Sequence, residues 1–400
     1  RLYPEDEVTV VPRVPLPPRS CAPQVDIRRA VSVFKSAKRP LVIVGMGAGY
    51  ARADKEMTEF IDRTKIPWLS TPKGKGVVSD DHPQCVARAR STALAEADVV
   101  FLVGARLNWM LHFGWPPRFK SDVKIVQLDI NAEEMHHNVQ SAAVLLGDAK
   151  MILSDLNSEL RDHPWSYPAS TPWRDTLQQS MDKNSKTVEK MIAEGNKFPM
   201  NYFYVFTEIQ KLLPKDAMIV SEGANTMDIG RSILKNYTGL HRLDAGTFGT
   251  MGVGLGFAIA AQMVSPEQRI VCIEGDSAIG FSGMELETIV RFNFPITFII
   301  INNNGIGQGV AEQPQGTSAM YAKSPPSSLM VGARYDKVME AFGGRGFFVE
   351  RPEELAPALK EALSLNVPSL VNIMIDPKAN RKPQPHGWLT SPTKTKKSKL

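Results

Sequence analysis
Residues 270–305 read IVCIEGDSAIGFSGMELETIVRFNFPITFIIINNNG. Two short apolar runs, predicted as strands over 269–273 and 296–301, enclose a segment of helical spacing at 284–292 with Met284, Ile289 and Phe292 available for packing. Strand, helix and strand in that order make one crossover of a mostly parallel sheet. Asp276 follows the first strand and Asn303 the second, 27 positions later, so the crossover can bring both side chains to the carboxyl edge of neighbouring strands. A carboxylate and an amide oxygen at that edge suit a hard cation. Magnesium takes a nearly octahedral oxygen shell and commonly keeps ligand phosphates. The Asp276 carboxylate, the Asn303 amide oxygen and the Gly305 carbonyl would supply three positions, leaving two for a diphosphate and one for water. Ser277 and the backbone at Ala278, opening the next helix, could donate to phosphate oxygens. The plainer alternative is a capped helix followed by an asparagine-rich turn.

Upstream, residues 243–260 read LDAGTFGTMGVGLGFAIA and lead into a helix predicted over 254–264. Its glycines allow a ligand close to backbone, and Met251 offers an unbranched apolar surface. A methionine on such a stretch is more often core. Beside the Asp and Asn motif, Met251 becomes a candidate wedge against a cofactor.

Further out, the pattern repeats in an earlier block. PLVIVGMGAGY at 40–50 reads as a buried strand and a glycine turn, with a helix expected over 51–63. Strands are expected at 99–103 and 123–128, the latter ending in Asp129, which could contact a ribose or simply cap a turn. The glycine spacing lacks the full dinucleotide fingerprint, so packing alone explains it as well. The resulting organisation is a proline-rich linker or domain end over 1–25, an α/β domain over 26–160, a connector over 161–199 with a polar helix near 173–194, a second α/β domain over 200–380 and a tail over 381–400. In the second domain, strands at 217–221 and 369–375 and a helix at 354–366 complete the expectation. The fold class is therefore α/β, two open, mostly parallel sheets covered by helices.

Composition narrows the function. Forty-three per cent hydrophobic residues over 400 positions support two or three packed domains. The apolar runs are too short to span a bilayer, which predicts no transmembrane segment. Three widely spaced cysteines and seven histidines form no zinc spacing, and Cys272 in its apolar run reads as a structural thiol. A formal charge of +5, much of it in the tail, comes without arginine and aromatic interleaving, so nucleic acid is not an expected partner. The last three residues, Ser398, Lys399 and Leu400, read SKL, a peroxisomal import address that predicts an import receptor as partner. The opening on Arg1 rather than methionine suggests a processed or partial sequence.

Taken together, GDSAIGFSGMELETIVRFNFPITFIIINNNG resembles the magnesium motif of the thiamine diphosphate enzyme family. SEGANTMDIGR at 221–231, the stretch at 243–260 and NNNGIGQG at 302–309 look closest to the 2-hydroxyacyl-CoA lyases, with oxalyl-CoA decarboxylase a close relative. The resemblance covers about residues 26 to 390. It implies thiamine diphosphate and Mg2+ as cofactors, Asp276, Asn303 and Gly305 as metal ligands, and Met251 beneath the thiazolium ring. Gly223, Asn225, Thr250, Ser277 and Ala278 are implied neighbours of the cofactor. The implied reaction splits a 2-hydroxyacyl-CoA between C1 and C2 into formyl-CoA and an aldehyde one carbon shorter, as in fatty acid alpha-oxidation. A homodimer or homotetramer is implied, with an activating glutamate on an amino-terminal domain that precedes this sequence, so no catalytic residue is assigned here. Two departures stand out. Ser277 replaces the glycine of the commonest motif, and Gly307 stands where the lyase-like pattern has tyrosine, next to a segment from 312 to 328 without an obvious match. A fragment that keeps the fold without turnover is the nonenzymatic alternative.

Overall fold
The protein is described here by a computed structural model covering residues 11–312 and 325–379. The SKL tripeptide and most of the 312–328 segment lie outside the described residues. Strands β1 (Pro40–Val44), β2 (Trp68–Ser70), β3 (Val99–Val103), β4 (Lys124–Asp129) and β5 (Ser141–Leu146) form one sheet in the order β2-β1-β3-β4-β5. Strands β6 (Met218–Glu222), β7 (Arg242–Asp244), β8 (Ile270–Gly275), β9 (Thr297–Asn302), β10 (Arg345–Val349) and β11 (Ser369–Met374) form the other, in the order β10-β11-β9-β8-β6-β7. Every strand pairing is parallel.

The apolar runs are continuous because both faces of these strands are buried. In the second sheet, Val271, Ile273, Ile299, Ile301, Val371 and Ile373 point into one core, whereas Ile270, Cys272, Phe298, Ile300 and Leu370 point into the other. That alternation is the two-residue period of a strand serving two helical layers. In the first domain, Phe34, Phe60 and Phe101 meet with ring centroids 5.0–5.8 Å apart. Each buried aromatic contributes about 1.5–3 kcal/mol by area alone.

The strands expected at 41–44, 99–103, 123–128, 217–221, 269–273, 296–301 and 369–375 are all present, shifted by at most two residues at an end. One expectation is corrected. The glycine run after β1 is itself helical at Met46–Tyr50, and the helix expected over 51–63 begins at Asp54. The glycines serve close packing, since a Cβ on Gly45 would overlap the Gly104 carbonyl and the Gly47 N–H donates to that same oxygen at 3.0 Å. Backbone thus fills the crevice between β1 and β3, where this strand order reverses direction.

The polar helix of the connector runs over Pro172–Gly195, capped by the Thr171 side chain accepting from the Arg174 N–H at 3.3 Å. Its first turns bury Trp173 and Leu177 in the first domain's core, while Val188, Met191 and Ile192 pack on the second. The helix therefore belongs to both cores. At the domain boundary, Asp80 pairs with Lys75 of its own domain at 2.5 Å and accepts the Asn236 N–H of the second at 2.8 Å, and the Trp109 indole N–H donates across to the Thr247 carbonyl at 2.9 Å.

Candidate functional site
The second sheet reverses its strand order between β6 and β8, because β7 lies on one side of β6 and β8 on the other. Ligands of open α/β sheets collect in the crevice beyond the carboxyl ends of such strands. Here the two ends are Glu222-Gly223 and Gly275-Asp276, and β9 delivers Asn302 and Asn303 alongside, since Gly275 pairs with Ile301.

Asp276 is the first residue of the helix Asp276–Ser282 and only 2% exposed. Its Oδ2 accepts the Gly305 N–H and its Oδ1 the Ser277 N–H, each at 2.9 Å. Burial pushes its pKa up to about 6 despite these amides and those of Asn303 and Asn304, which favour the charged form. A carboxylate buried among oxygen-bearing turns has the chemistry of a hard-cation ligand. Among the described residues no cluster of three His, Cys, Asp or Glu side chains could hold a metal. The candidate set contains one carboxylate, so its remaining donors would be amide and carbonyl oxygens.

The three consecutive asparagines divide their work. Asn302 donates to Asn372 Oδ1 and to the Ala333 carbonyl, both at 3.2 Å, and accepts the Asn304 N–H at 3.1 Å. Asn304, left-handed at φ 61°, accepts the Gly332 N–H and donates to the Val310 carbonyl. Both therefore fold the loop. Asn303 donates its Nδ2 to the Gly307 carbonyl at 2.9 Å, which directs the nitrogen branch of its amide toward the loop and leaves the oxygen on the other branch. Asn225, in the first turn of the helix Ala224–Ile233, donates to the same carbonyl at 3.2 Å.

Gly223, at φ +96°, closes β6 against Gly275 and Ala278; a Cβ there would lie 3.3 Å from the Gly275 nitrogen and 3.7 Å from the Ala278 Cβ. Gly223, Asn225, Asp276, Ser277, Ala278, Asn303 and Gly305 thus come together. Thr250 and Met251 sit on the adjoining turn, exposed and partly exposed respectively. Asp276 engages the backbone N–H of Ser277 and not its hydroxyl. Asp129 stands apart in the first domain, where its Oδ1 accepts the Asn131 N–H at 3.0 Å and shapes a turn.

Residues that the sequence did not single out complete the crevice. Tyr335 donates its hydroxyl to the Asp276 carbonyl at 3.2 Å, and Tyr202 hydrogen-bonds the side chains of Thr226 and Asn225. Glu222 and Glu274 are cross-strand partners, both fully buried. Burial, then the neighbouring Glu222, pushes Glu274 up to about 8, so it holds a proton at neutral pH. Cys272 donates its thiol to Glu274 Oε1 at 3.3 Å, and burial raises that thiol's pKa as expected of a structural cysteine. The adjacent acidic positions in SEGAN and IEGD were the available signal, but alternation in a strand gives no reason to expect a buried carboxyl.

Comparison with known proteins agrees with this geometry. The pattern described as thiamine pyrophosphate enzyme, central domain, matches residues 27–156, and that described as thiamine pyrophosphate enzyme, C-terminal TPP binding domain, matches 222–373. The chain is similar to 2-hydroxyacyl-CoA lyase 1 of Homo sapiens, 51% identical over 383 residues, which cover 94% of this chain and 66% of that protein. It is 34% identical over 389 residues to the 2-hydroxyacyl-CoA lyase of Saccharomyces cerevisiae, covering 94% and 67%. With the oxalyl-CoA decarboxylase of Escherichia coli (strain K12) the identity is 39% over 378 residues, covering 94% and 65%. The chain spans about two thirds of the length of these relatives. With both sheets, the switch-point crevice and these matches in agreement, the chain belongs to the thiamine pyrophosphate enzyme family.

Proposed function
We propose that this chain is the central and cofactor-binding part of a 2-hydroxyacyl-CoA lyase, with domains over 26–160 and 200–380. The observation that carries the proposal is the convergence of Asp276, Asn303 and Gly305 beyond β8 and β9, beside the turn bearing Met251. The Asp276 carboxylate, the Asn303 amide oxygen and the Gly305 carbonyl would hold Mg2+, and that ion the diphosphate of thiamine diphosphate. Their fit rests on the oxygen chemistry of the set and on a buried Asp276 that a cation would favour in its charged form. When bound, thiamine diphosphate supplies the electron sink for breaking the bond between C1 and C2 of the substrate.

The residues of this chain then bind and orient. Gly223 and Ala278 form a close-packed floor, Asn225 steadies the metal loop, and Met251 offers an apolar surface for the cofactor's ring. Positioning and exclusion of water are the protein's share of the rate. The activating carboxylate is proposed to come from a part of the protein outside these residues. Peroxisomal import through SKL, a place in fatty acid alpha-oxidation and a homodimeric or homotetrameric state belong to the same proposal.

The similarity to the human lyase, 51% identical against 39% for the Escherichia coli oxalyl-CoA decarboxylase, supports this reaction over decarboxylation of oxalyl-CoA. The test incubates the natural protein carrying this chain with a long-chain 2-hydroxyacyl-CoA and, separately, with oxalyl-CoA. Formyl-CoA and the shortened aldehyde are expected from the first. Rapid carbon dioxide release from the second, without aldehyde from the first, assigns the decarboxylase instead. Product from neither substrate leaves the nonenzymatic fragment.

A further inference from the structure
Met251 lies in a loop that crosses from β7 to the helix Gly254–Val264, and the loop has almost no packing of its own. Phe248 is 95% exposed, a Cβ on Gly249 would meet no atom within 4 Å among the described residues, and Met251 is 36% exposed. The backbone is left-handed at Gly246, Gly249 and Gly252, conformations that glycine adopts without steric cost. Such a loop needs outside restraints to present one side chain in one place. Its front end has two: the Gly246 N–H donates to Asp244 Oδ1 at 2.9 Å, and the Thr247 carbonyl accepts from Trp109.

Among the described residues, one side chain holds its back end by hydrogen bonds. Glu222, fully buried at the end of β6, accepts the Gly252 N–H on Oε1 at 2.5 Å and the Gly254 N–H on Oε2 at 2.6 Å. Those amides lie one and three residues after Met251. A Cβ on Gly254 would overlap the Glu274 carboxyl, so the chain approaches as closely as glycine permits. Burying a carboxyl at a strand end is costly unless backbone donors meet it. Here both donors come from the one turn that carries the apolar wedge.

We propose that Glu222 is the positioning residue of the Met251 turn: it does not touch the metal loop but fixes where Met251 meets the cofactor's ring. The proposal rests on the thiamine diphosphate reading above. It separates two halves of cofactor recognition. The diphosphate end is held by Asp276 and Asn303, and the ring end depends on Glu222 through Met251.

The experiment measures, by titration calorimetry on the natural protein carrying this chain, the affinity for thiamine diphosphate and for inorganic pyrophosphate, each with Mg2+. The variants are Glu222→Gln, Glu222→Asp and Met251→Ala. Gln keeps the shape but turns an N–H toward a backbone N–H, which predicts a loss of roughly tenfold or more for thiamine diphosphate. Pyrophosphate lacks the ring, so its affinity should stay within about twofold of the parent. Glu222→Asp, one methylene too short to meet both amides, should show the same selective pattern and keeps the test standing if Glu222→Gln does not fold, while Met251→Ala, which removes the wedge itself, sets the size of the selective loss to expect. Equal losses for both ligands mean a general structural role and overturn the proposal, as does an unchanged thiamine diphosphate affinity in the Glu222 variants. A parent protein that binds neither ligand refutes the cofactor reading itself, a result distinct from both.

Discussion

The Gly305 N–H reaches back from the loop beyond β9 to the Asp276 carboxylate beyond β8, at 2.9 Å, and so ties the two ends of the crossover together. Asp276→Ala removes the anion and strands the Gly305 and Ser277 amides. Affinity for Mg2+ with thiamine diphosphate should fall by at least about tenfold in calorimetry. Asp129→Ala, altering a turn in the other domain, should leave it within about twofold. Equal affinities in the Asp276 variant and the parent would contradict the magnesium role.

Adjacent asparagines should respond differently. Asn302 bridges β9 to Asn372 on β11 and to the Ala333 carbonyl, so Asn302→Ala is expected to cost about 1–3 kcal/mol in urea unfolding. Asn303→Ala loses one bond to a carbonyl that Asn225 also serves, and its stability cost should stay under about 1 kcal/mol. Its effect should appear in magnesium affinity instead. The opposite assignment of stability and affinity would show that the ligand asparagine has been misplaced by one residue.

The crossover that carries Asp276 and Asn303 was legible because its parts are local: two wholly buried parallel strands are continuous apolar runs, and each ends at a chemically distinct residue. Two other strands were passed over. Arg242–Asp244 is short and polar, with Arg242 and Asp244 buried, and Ser141–Leu146, reading SAAVLL, is an edge strand whose apolar run opens on alanines of low strand propensity. The glycines of residues 45–49 looked like a turn, yet close contact with Gly104 winds them into helix. Tyr202, Tyr335 and Trp109 reach the crevice from segments far apart in sequence, and no spacing rule links them to it.

The helix Pro172–Gly195 read as a polar connector because most of its surface is solvated, but its two apolar ends dock on different cores. Trp173 is 2% exposed and donates its indole N–H to the Pro40 carbonyl at 3.0 Å. Trp173→Ala should cost about 3–5 kcal/mol by denaturant unfolding. A cost below about 1 kcal/mol would place this helix outside the cooperative unit.

Lys75 and Asp80, paired at 2.5 Å, sit against the second domain, where Asp80 also accepts the Asn236 N–H. Burial pulls the Lys75 pKa below its ordinary 10.5, followed among the lowering effects by the buried Arg242, while Asp80 works in the opposite direction. Lys75→Met leaves Asp80 without its ammonium partner and should cost about 3 kcal/mol. The sign of the pH dependence follows from the lowered pKa. In the window below 10.5 the unfolded chain binds more protons at this lysine than the folded one, so the lysine's contribution to stability rises with pH. The parent should therefore gain on Lys75→Met between about pH 8 and about pH 10, measured by urea unfolding of both. A gap that narrows instead would mean that the attraction of Asp80 outweighs burial and holds the lysine above its ordinary pKa.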